Sequence, residues 1–237
     1  MAAAGKEVTA VVHFVGAGPG GPDLITLRGA ELLRQADCVV YAGSLVNPAL
    51  LGFVREHVPV YNSAHMTLEQ VIEVLERTEA SGGNTVRLHT GDPSLYGAVR
   101  EQMDALDQKK IPWDVTPGVS SLCGAAAAVG AEYTLPGVSQ SVIITRMAGR
   151  TPVPEGESIA ALAQHGCTMV IFLSAGMLGG LSAQRLKGAY IPDTPAALVY
   201  KATWPEEKVV RCTVGTLAQA GRDHRVSKTA LVLVGDF

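Results

Sequence analysis

The chain reads as an α/β protein built from two α/β domains, 1–136 and 137–237, with a ligand cleft between them. Three observations carry that reading. Strand-like and helix-like runs alternate through the first half, the mark of a mostly parallel sheet with crossover helices. Glycine- and proline-rich loops stand where strands hand over to helices, the edge at which open α/β sheets bind ligands. After Thr134-Leu135-Pro136-Gly137, a linker-like stretch, the strands crowd closer together and imply mixed pairing.

The elements follow from periodicity and capping. Val8 to Val15 is apolar and β-branched, a first strand. Thr26 is placed to cap a helix over Leu27 to Gln35. Asp37 to Ala42 and Val58 to Tyr61 are the next strands. Thr67-Leu68-Glu69-Gln70 fits a capping box, followed by Leu68, Val71, Ile72 and Leu75 at helical spacing; Ser81-Gly82-Gly83 ends that helix. Asn84 to Leu88 is a strand, Ala98 to Leu106 a helix, Trp113 to Val115 a short strand and Ser120 to Val129 an alanine-rich buried helix. In the second half, strands are expected over Val138 to Thr145, Thr168 to Leu173, Ala196 to Tyr200, Val209 to Thr213 and Thr229 to Val234. Helices fit Ser158 to Gln164, Met177 to Lys187 and Thr216 to Ala220.

Composition narrows the function. Charged residues are 17% and hydrophobic ones 47% of the chain. So small a charged fraction covers surface poorly and points to burial in an oligomer. A net charge of −3 argues against general nucleic-acid binding, which usually brings a basic excess. Cys38, Cys123, Cys167 and Cys212 are widely spaced, with no metal spacing, and read as reduced cytoplasmic thiols. The histidines form no ligand pattern, so no metal site is expected. Gly166 to Ala183 is uncharged and about as long as the shortest membrane spans, roughly 18 residues. Its glycines and hydroxyl residues fit a buried strand, a turn and an apolar helix better, so no membrane association is expected.

Three loops carry the candidate chemistry. Gly16-Ala17-Gly18-Pro19-Gly20-Gly21 matches the G-x-G-x-x-G pattern, but Pro19 and Pro22 hold an irregular loop where a dinucleotide fold runs straight into a helix. The acid that should end the second strand is also missing: that strand ends Tyr41-Ala42-Gly43-Ser44. A ligand other than NAD or FAD is expected. His89-Thr90-Gly91-Asp92-Pro93-Ser94-Leu95-Tyr96-Gly97 puts an acid and a tight turn at a strand end. Asp92 is either a turn former or a ligand contact. Ser120 and Ser121, in Pro117-Gly118-Val119-Ser120-Ser121, can cap the following helix, face a ligand, or do both. Tyr96 and Tyr200 fit packing better than acid–base work. No triad, carboxylate pair or metal cluster is apparent, so no catalytic residue is assigned. That suits a reaction whose reactive groups come from substrate and cofactor, the protein supplying orientation.

These residues resemble a known family. Gly16-Ala17-Gly18-Pro19-Gly20-Gly21-Pro22-Asp23-Leu24-Ile25-Thr26 is similar to the amino-terminal motif of the tetrapyrrole (precorrin) C-methyltransferases. Gly91-Asp92-Pro93 and Pro117-Gly118-Val119-Ser120-Ser121 resemble its two further motifs, and the likeness runs from Val11 to the carboxyl end. Tyr41 to Val46 and Arg87 to Gly97 narrow it to members that act on precorrins in cobalamin synthesis. The resemblance implies the tetrapyrrole methylase fold, S-adenosylmethionine in the cleft and a homodimer. It places cofactor contacts on Pro19, Gly91, Asp92, Leu95, Tyr96, Ser120 and Ser121, and in the second half on Ser174, Tyr200, Thr229 and Ala230. Lys228-Thr229 departs from the Ser-Pro that relatives often carry there. A substrate bearing many carboxylates needs cations, for which Arg100, Arg146, Arg150 and Lys201 lie near expected cleft edges; a solvated surface charge is the more ordinary reading of each. Two other readings stay open: a relative that methylates protein or ribosomal RNA, and a non-catalytic ligand-binding module.

Overall fold

The structure, a computed structural model, describes residues 10–149, 151–185 and 188–237, with main chain alone for 183–185. The chain divides into two compact units, Met1–Ser121 and Leu122–Phe237. This division falls ahead of residue 136, because the alanine-rich helix that was grouped with the first half packs on the second sheet.

In unit 1 five parallel strands, β1 (Val12–Gly16), β2 (Cys38–Tyr41), β3 (Val60–Asn62), β4 (Thr85–His89) and β5 (Trp113–Thr116), are ordered β3-β2-β4-β1-β5. Helices α1 (Leu27–Gln35), α2 (Leu68–Ala80) and α3 (Arg100–Lys109) cross between them. Thr26 Oγ1 accepts from the Gly29 amide to start α1, and the Thr67–Gln70 capping box starts α2. Strand alternation sorts the core onto two faces. Phe14, Val40, Leu75 and Leu106 lie on one; Val15, Val39, Leu88 and Leu33 lie on the other. Fully burying each such side chain contributes about 1.5–3 kcal/mol.

One difference from the sequence reading has a physical cause. Helix α3 opens at Arg100, not Ala98, because Tyr96 (φ 56°) and Ala98 (φ 49°) take left-handed backbone. Gly97 between them lies so close to Pro93 that a Cβ would sit 2.2 Å from its carbonyl oxygen.

Unit 2 carries a mixed sheet ordered β6-β7-β10-β8-β9: β6 (Val142–Arg146), β7 (Thr168–Phe172), β8 (Pro195–Tyr200), β9 (Lys208–Thr213) and β10 (Ala230–Val234). β6 and β7 are parallel; β10 and β8, and β8 and β9, pair antiparallel. Helix α4 (Ser121–Val129) buries Ala125 and Val129 against Val170, Val199 and Leu231 on one face. Helices α5 (Ile159–Leu162), α6 (Leu178–Arg185) and α7 (Leu217–Asp223) cover the other with Ile159, Leu181 and Leu217. The uncharged run Gly166 to Ala183 folds as β7, a turn and part of α6. Among the described residues no helix is long and apolar enough to cross a membrane.

Candidate functional site

In unit 1 the site is built where β1 and β4 lie side by side and part company. After β1 the chain leaves to α1, whose Leu33 packs on one face; after β4 it leaves to α3, whose Leu106 packs on the other. Such a switch point opens a crevice at the carboxyl edge of the strands. Three loops close in on it. Gly18 and Gly91 exchange main-chain hydrogen bonds (3.2 and 2.9 Å), bridging the β1 and β4 loops. A Cβ on Gly16 would lie 2.5 Å from Gly118 Cα and 2.6 Å from Gly91 O; one on Gly118 would lie 2.1 Å from Gly91 O. Only glycine permits that approach. Asn47, beyond β2, donates from Nδ2 to the Gly20 carbonyl at 2.8 Å and ties in a fourth loop.

Asp92 fastens this assembly. Its Oδ1 accepts from the Ser94 amide (2.8 Å) and hydroxyl, and its Oδ2 accepts from the Gly118 amide at 2.8 Å. Burial alone would raise the carboxyl pKa, but the bonds from the Ser94 hydroxyl, the Gly118 amide and the Ser94 amide outweigh it and hold it below the ordinary value. Asp92 is therefore a turn former and a loop clasp together. Pro19 is buried behind the Gly18–Gly91 bridge, and Ser120 is buried beside Gly91, whose Cβ would meet Ser121 N at 3.3 Å and Ser120 Cα at 3.5 Å. Leu95 is half-buried and donates its amide to the Asp92 carbonyl, while Tyr96 is exposed. The structure thus gathers Pro19, Gly91, Asp92, Leu95, Tyr96, Ser120 and Ser121 at one sheet edge. Arg100 opens α3 and is occupied by ion pairs to Asp104 and, at 3.9 Å, to Asp107.

Beneath that edge lie residues that the sequence reading passed over. Arg87 and His89 are buried on the α3 face of β4. The Arg87 guanidinium donates to Gln102 Oε1 (2.9 Å), Val40 O (3.2 Å) and Ser63 Oγ (3.1 Å); burial lowers its pKa to about 10. His89 stacks near Phe14, and its buried Nε2 has no hydrogen-bond partner among the described residues. Burial first, and the Arg87 charge second, push its pKa down to about 3, so it is neutral.

In unit 2 the remaining positions share one sheet edge: the ends of β6, β7 and β8 and the start of β10. Ser174 is fully buried; its Oγ accepts from the Met147 amide (2.9 Å) and donates to the Phe172 carbonyl (2.7 Å). That hydroxyl clasps β6 to β7. Tyr200 pairs with Ala230 across the β8–β10 ladder, and the Lys201 amide donates to the Thr229 carbonyl at 3.0 Å. Leu173 (φ 52°), Lys201 (φ 46°) and Thr229 (φ 53°) are all left-handed, and Leu173 is 63% exposed despite being apolar. Strain of this kind collects at ligand sites. Leu173 carried no signal in the sequence beyond ending an apolar strand. The Arg146 guanidinium donates to the carbonyls of Met147, Thr151 and Pro152 (3.2, 3.1 and 2.8 Å) and is committed to its own loop. Lys201 Nζ lies 3.6 Å from Glu206 and 4.9 Å from the Trp204 ring centre. Arg150 lies outside the described residues. Among the described residues no cluster of three or more His, Cys, Asp or Glu is placed to hold a metal.

Comparison with known proteins fits these edges into a wider pattern. The family model of the Tetrapyrrole (Corrin/Porphyrin) Methylases matches residues 11–218. The chain belongs to this family. A cobalt-precorrin-4 C(11)-methyltransferase of Methanocaldococcus jannaschii is 48% identical, over 95% of this chain and 87% of that protein. A precorrin-4 C(11)-methyltransferase of Pseudomonas aeruginosa is 44% identical over 95% and 89%. The X-ray structure of a cobalt precorrin-4 methyltransferase superposes with a TM-score of 0.94 at 42% identity, covering 99% of this chain and 98% of that one. A uroporphyrin-III C-methyltransferase of Thermus thermophilus, solved with S-adenosylhomocysteine, gives a TM-score of 0.80 at 26% identity, covering 96% and 98%. The tetrapyrrole methylase fold expected from the loops is the fold observed.

Proposed function

We propose that this chain is an S-adenosylmethionine-dependent C-methyltransferase that methylates precorrin-4, or its cobalt-bearing counterpart, at ring carbon 11 in cobalamin synthesis. The observation that carries the reading is the 48% identity to a carbon-11 enzyme over 95% of the chain, a span that includes both sheet edges. The three-glycine contact supports the cofactor assignment: with no side chains at Gly16, Gly91 and Gly118, the edge offers bare main chain, which suits a ligand rich in hydroxyl, amine and carboxylate groups.

Proposed contacts are Pro19, Gly91, Asp92, Leu95, Tyr96, Ser120 and Ser121 on the first edge, and Ser174, Tyr200, Thr229 and Ala230 on the second. Asp92 and Ser174 act there by fixing main chain, since their oxygens are already engaged. Leu173 joins them as an exposed apolar contact. When bound, the sulfonium supplies a methyl group that an electron-rich ring carbon can accept without a metal. The protein's part is to hold the two partners near 3–3.5 Å with orbitals aligned and to exclude water. Substrate carboxylates fall to Arg100 and Lys201, whose present ion-pair partners are exposed acids and are exchangeable. Arg146 shapes its own loop. The low charged fraction supports a homodimer, for which light scattering should return about twice the 24.7 kDa chain mass.

The test is incubation with precorrin-4, methyl-labelled S-adenosylmethionine and excess chelator, followed by carbon NMR. Label at carbon 11 is expected. Label at another ring carbon would assign a sibling methyltransferase, and binding without turnover would assign a ligand-binding module.

A further inference from the structure

The Arg87–Gln102 pair is buried, polar and unused by the reading above. Arg87 is the middle residue of β4, the strand that leads into the Gly91–Asp92 loop, and Gln102 lies in the first turn of α3 just after that loop; both are 5% exposed. Burying an arginine with no carboxylate beside it is costly, and a fold keeps one only where its donors are needed. Here the donors reach three elements: Val40 on β2, Ser63 beyond β3, and Gln102 on α3. Ser63 in turn donates to Tyr41 O at 3.1 Å.

Gln102 turns this hub into a brace. Its Oε1 accepts from Arg87 Nε at 2.9 Å, and its Nε2 donates to the Ala98 carbonyl at 2.9 Å. Ala98 is one of the two left-handed residues that shape the end of the loop. A single side chain therefore joins the strand before the loop to the strained turn at its far end. A left-handed non-glycine residue is strained and would relax unless held.

We infer that Arg87 and Gln102 are positioning residues, which hold the Tyr96–Gly97–Ala98 turn in its strained form and so preset the ligand loop 90–99. The inference rests on that loop being the cofactor edge, but its structural half can be read without any ligand.

Gln102→Glu separates the two bonds. The new carboxylate still accepts from Arg87, whose cation keeps it ionised, so it has no proton to donate to Ala98. Amide hydrogen exchange on the ligand-free full chain should show the 93–99 segment (amides of 94–99, Pro93 having none) exchanging about tenfold faster, with β4 unchanged; one lost buried hydrogen bond has that effect. Calorimetry with S-adenosylhomocysteine should show a Kd raised by about the same factor. In methyl transfer KM for S-adenosylmethionine should rise, with kcat within about twofold. Gln102→Met, of similar length, is the second variant and should behave alike if the first does not fold. Leu106→Ala, buried in the same helix, is the control: it should lower the melting temperature while leaving exchange at 93–99 and the Kd within about twofold of native. Unchanged exchange at 93–99 in both Gln102 variants would overturn the inference, as would equal effects from Leu106→Ala. If the native chain binds no S-adenosylhomocysteine, the functional reading falls while exchange still decides the brace.

Discussion

Replacing Asp92 by asparagine isolates the clasp between the β4 and β5 loops. Asparagine keeps a carbonyl oxygen for the Ser94 amide, so the local turn survives. Its amide group, however, would face the Gly118 N–H that Asp92 Oδ2 now accepts at 2.8 Å, donor against donor. A hydrogen bond to a charged group contributes about 1.5–3 kcal/mol, and partial exposure of Asp92 places this one at the lower end. About 1.5 kcal/mol is roughly tenfold in affinity if the two loops must stay joined to hold the cofactor. Calorimetry with S-adenosylhomocysteine should therefore show about a tenfold weaker Kd in Asp92→Asn, with a small drop in melting temperature. Acid denaturation adds a second reading. The carboxyl is held below its ordinary pKa, so its contribution is complete above about pH 4 and is lost as pH falls through the folded-state value. The variant should lack that loss. A Kd within twofold of native, together with an unchanged acid limb, would refute the clasp.

His89 is neutral in the folded chain with a pKa near 3, against about 6.5 unfolded, so its contribution is complete above pH 6.5 and is lost progressively as pH falls toward 3; His89→Phe should flatten that part of the stability–pH curve measured by urea unfolding. Gly16→Ala should destabilise the chain by about 1–3 kcal/mol or more, as backbone meets the new Cβ on two sides, whereas Gly52→Ala, with open space around it, should leave the melting temperature almost unchanged. Leu173→Gly should relieve left-handed strain and raise stability by about 1 kcal/mol while weakening S-adenosylhomocysteine binding; unaltered binding would remove Leu173 from the site. Titration with NAD should give no heat where S-adenosylhomocysteine does; tighter NAD binding would overturn the cofactor assignment.

Much of the fold was legible because its signals are local. Thr26 and the Thr67–Gln70 box cap α1 and α2 where the sequence placed them, and Leu27–Gln35 is the helix expected. The errors came where side chains compete with regular structure. A strand was expected from Val138, but β6 starts at Val142. Ser139 accepts from the Thr168 amide and donates to the Ser141 carbonyl, and the Val138 and Ser139 amides turn back to Leu135. Short polar side chains divert backbone in this way. At the site, the loops were legible from their glycines, but Asp92 remained open between turn former and ligand contact because its partner Gly118 lies in another loop. Arg87 and His89 were given no role of their own because a strand with a loop after it does not show which of its polar side chains are buried. In a parallel sheet both faces are covered, so the polar side of β4 is buried.

The two ends of the unit 2 sheet show what the strained residues are for. At the far end from the candidate contacts, the chain takes positive φ at Gly166, ahead of β7, and at Gly235, after β10. Glycine there avoids the penalty, and nothing requires a side chain. At the candidate end the same kind of reversal is made by Leu173, Lys201 and Thr229. These three stand on adjacent strands, after β7, after β8 and before β10. Glycine would serve the backbone equally well at both ends. Each non-glycine residue costs about 1–2 kcal/mol that glycine would save, and the β-branched Thr229 is the least suited of all. What is retained at that cost is a side chain or its rigidity. Leu173 presents an apolar group to solvent, Lys201 places a cation over Trp204, and Thr229 stiffens the chain entering β10 with its β-branched side chain. Stability alone favours glycine at all three, which supports the proposal that the edge they share binds a ligand.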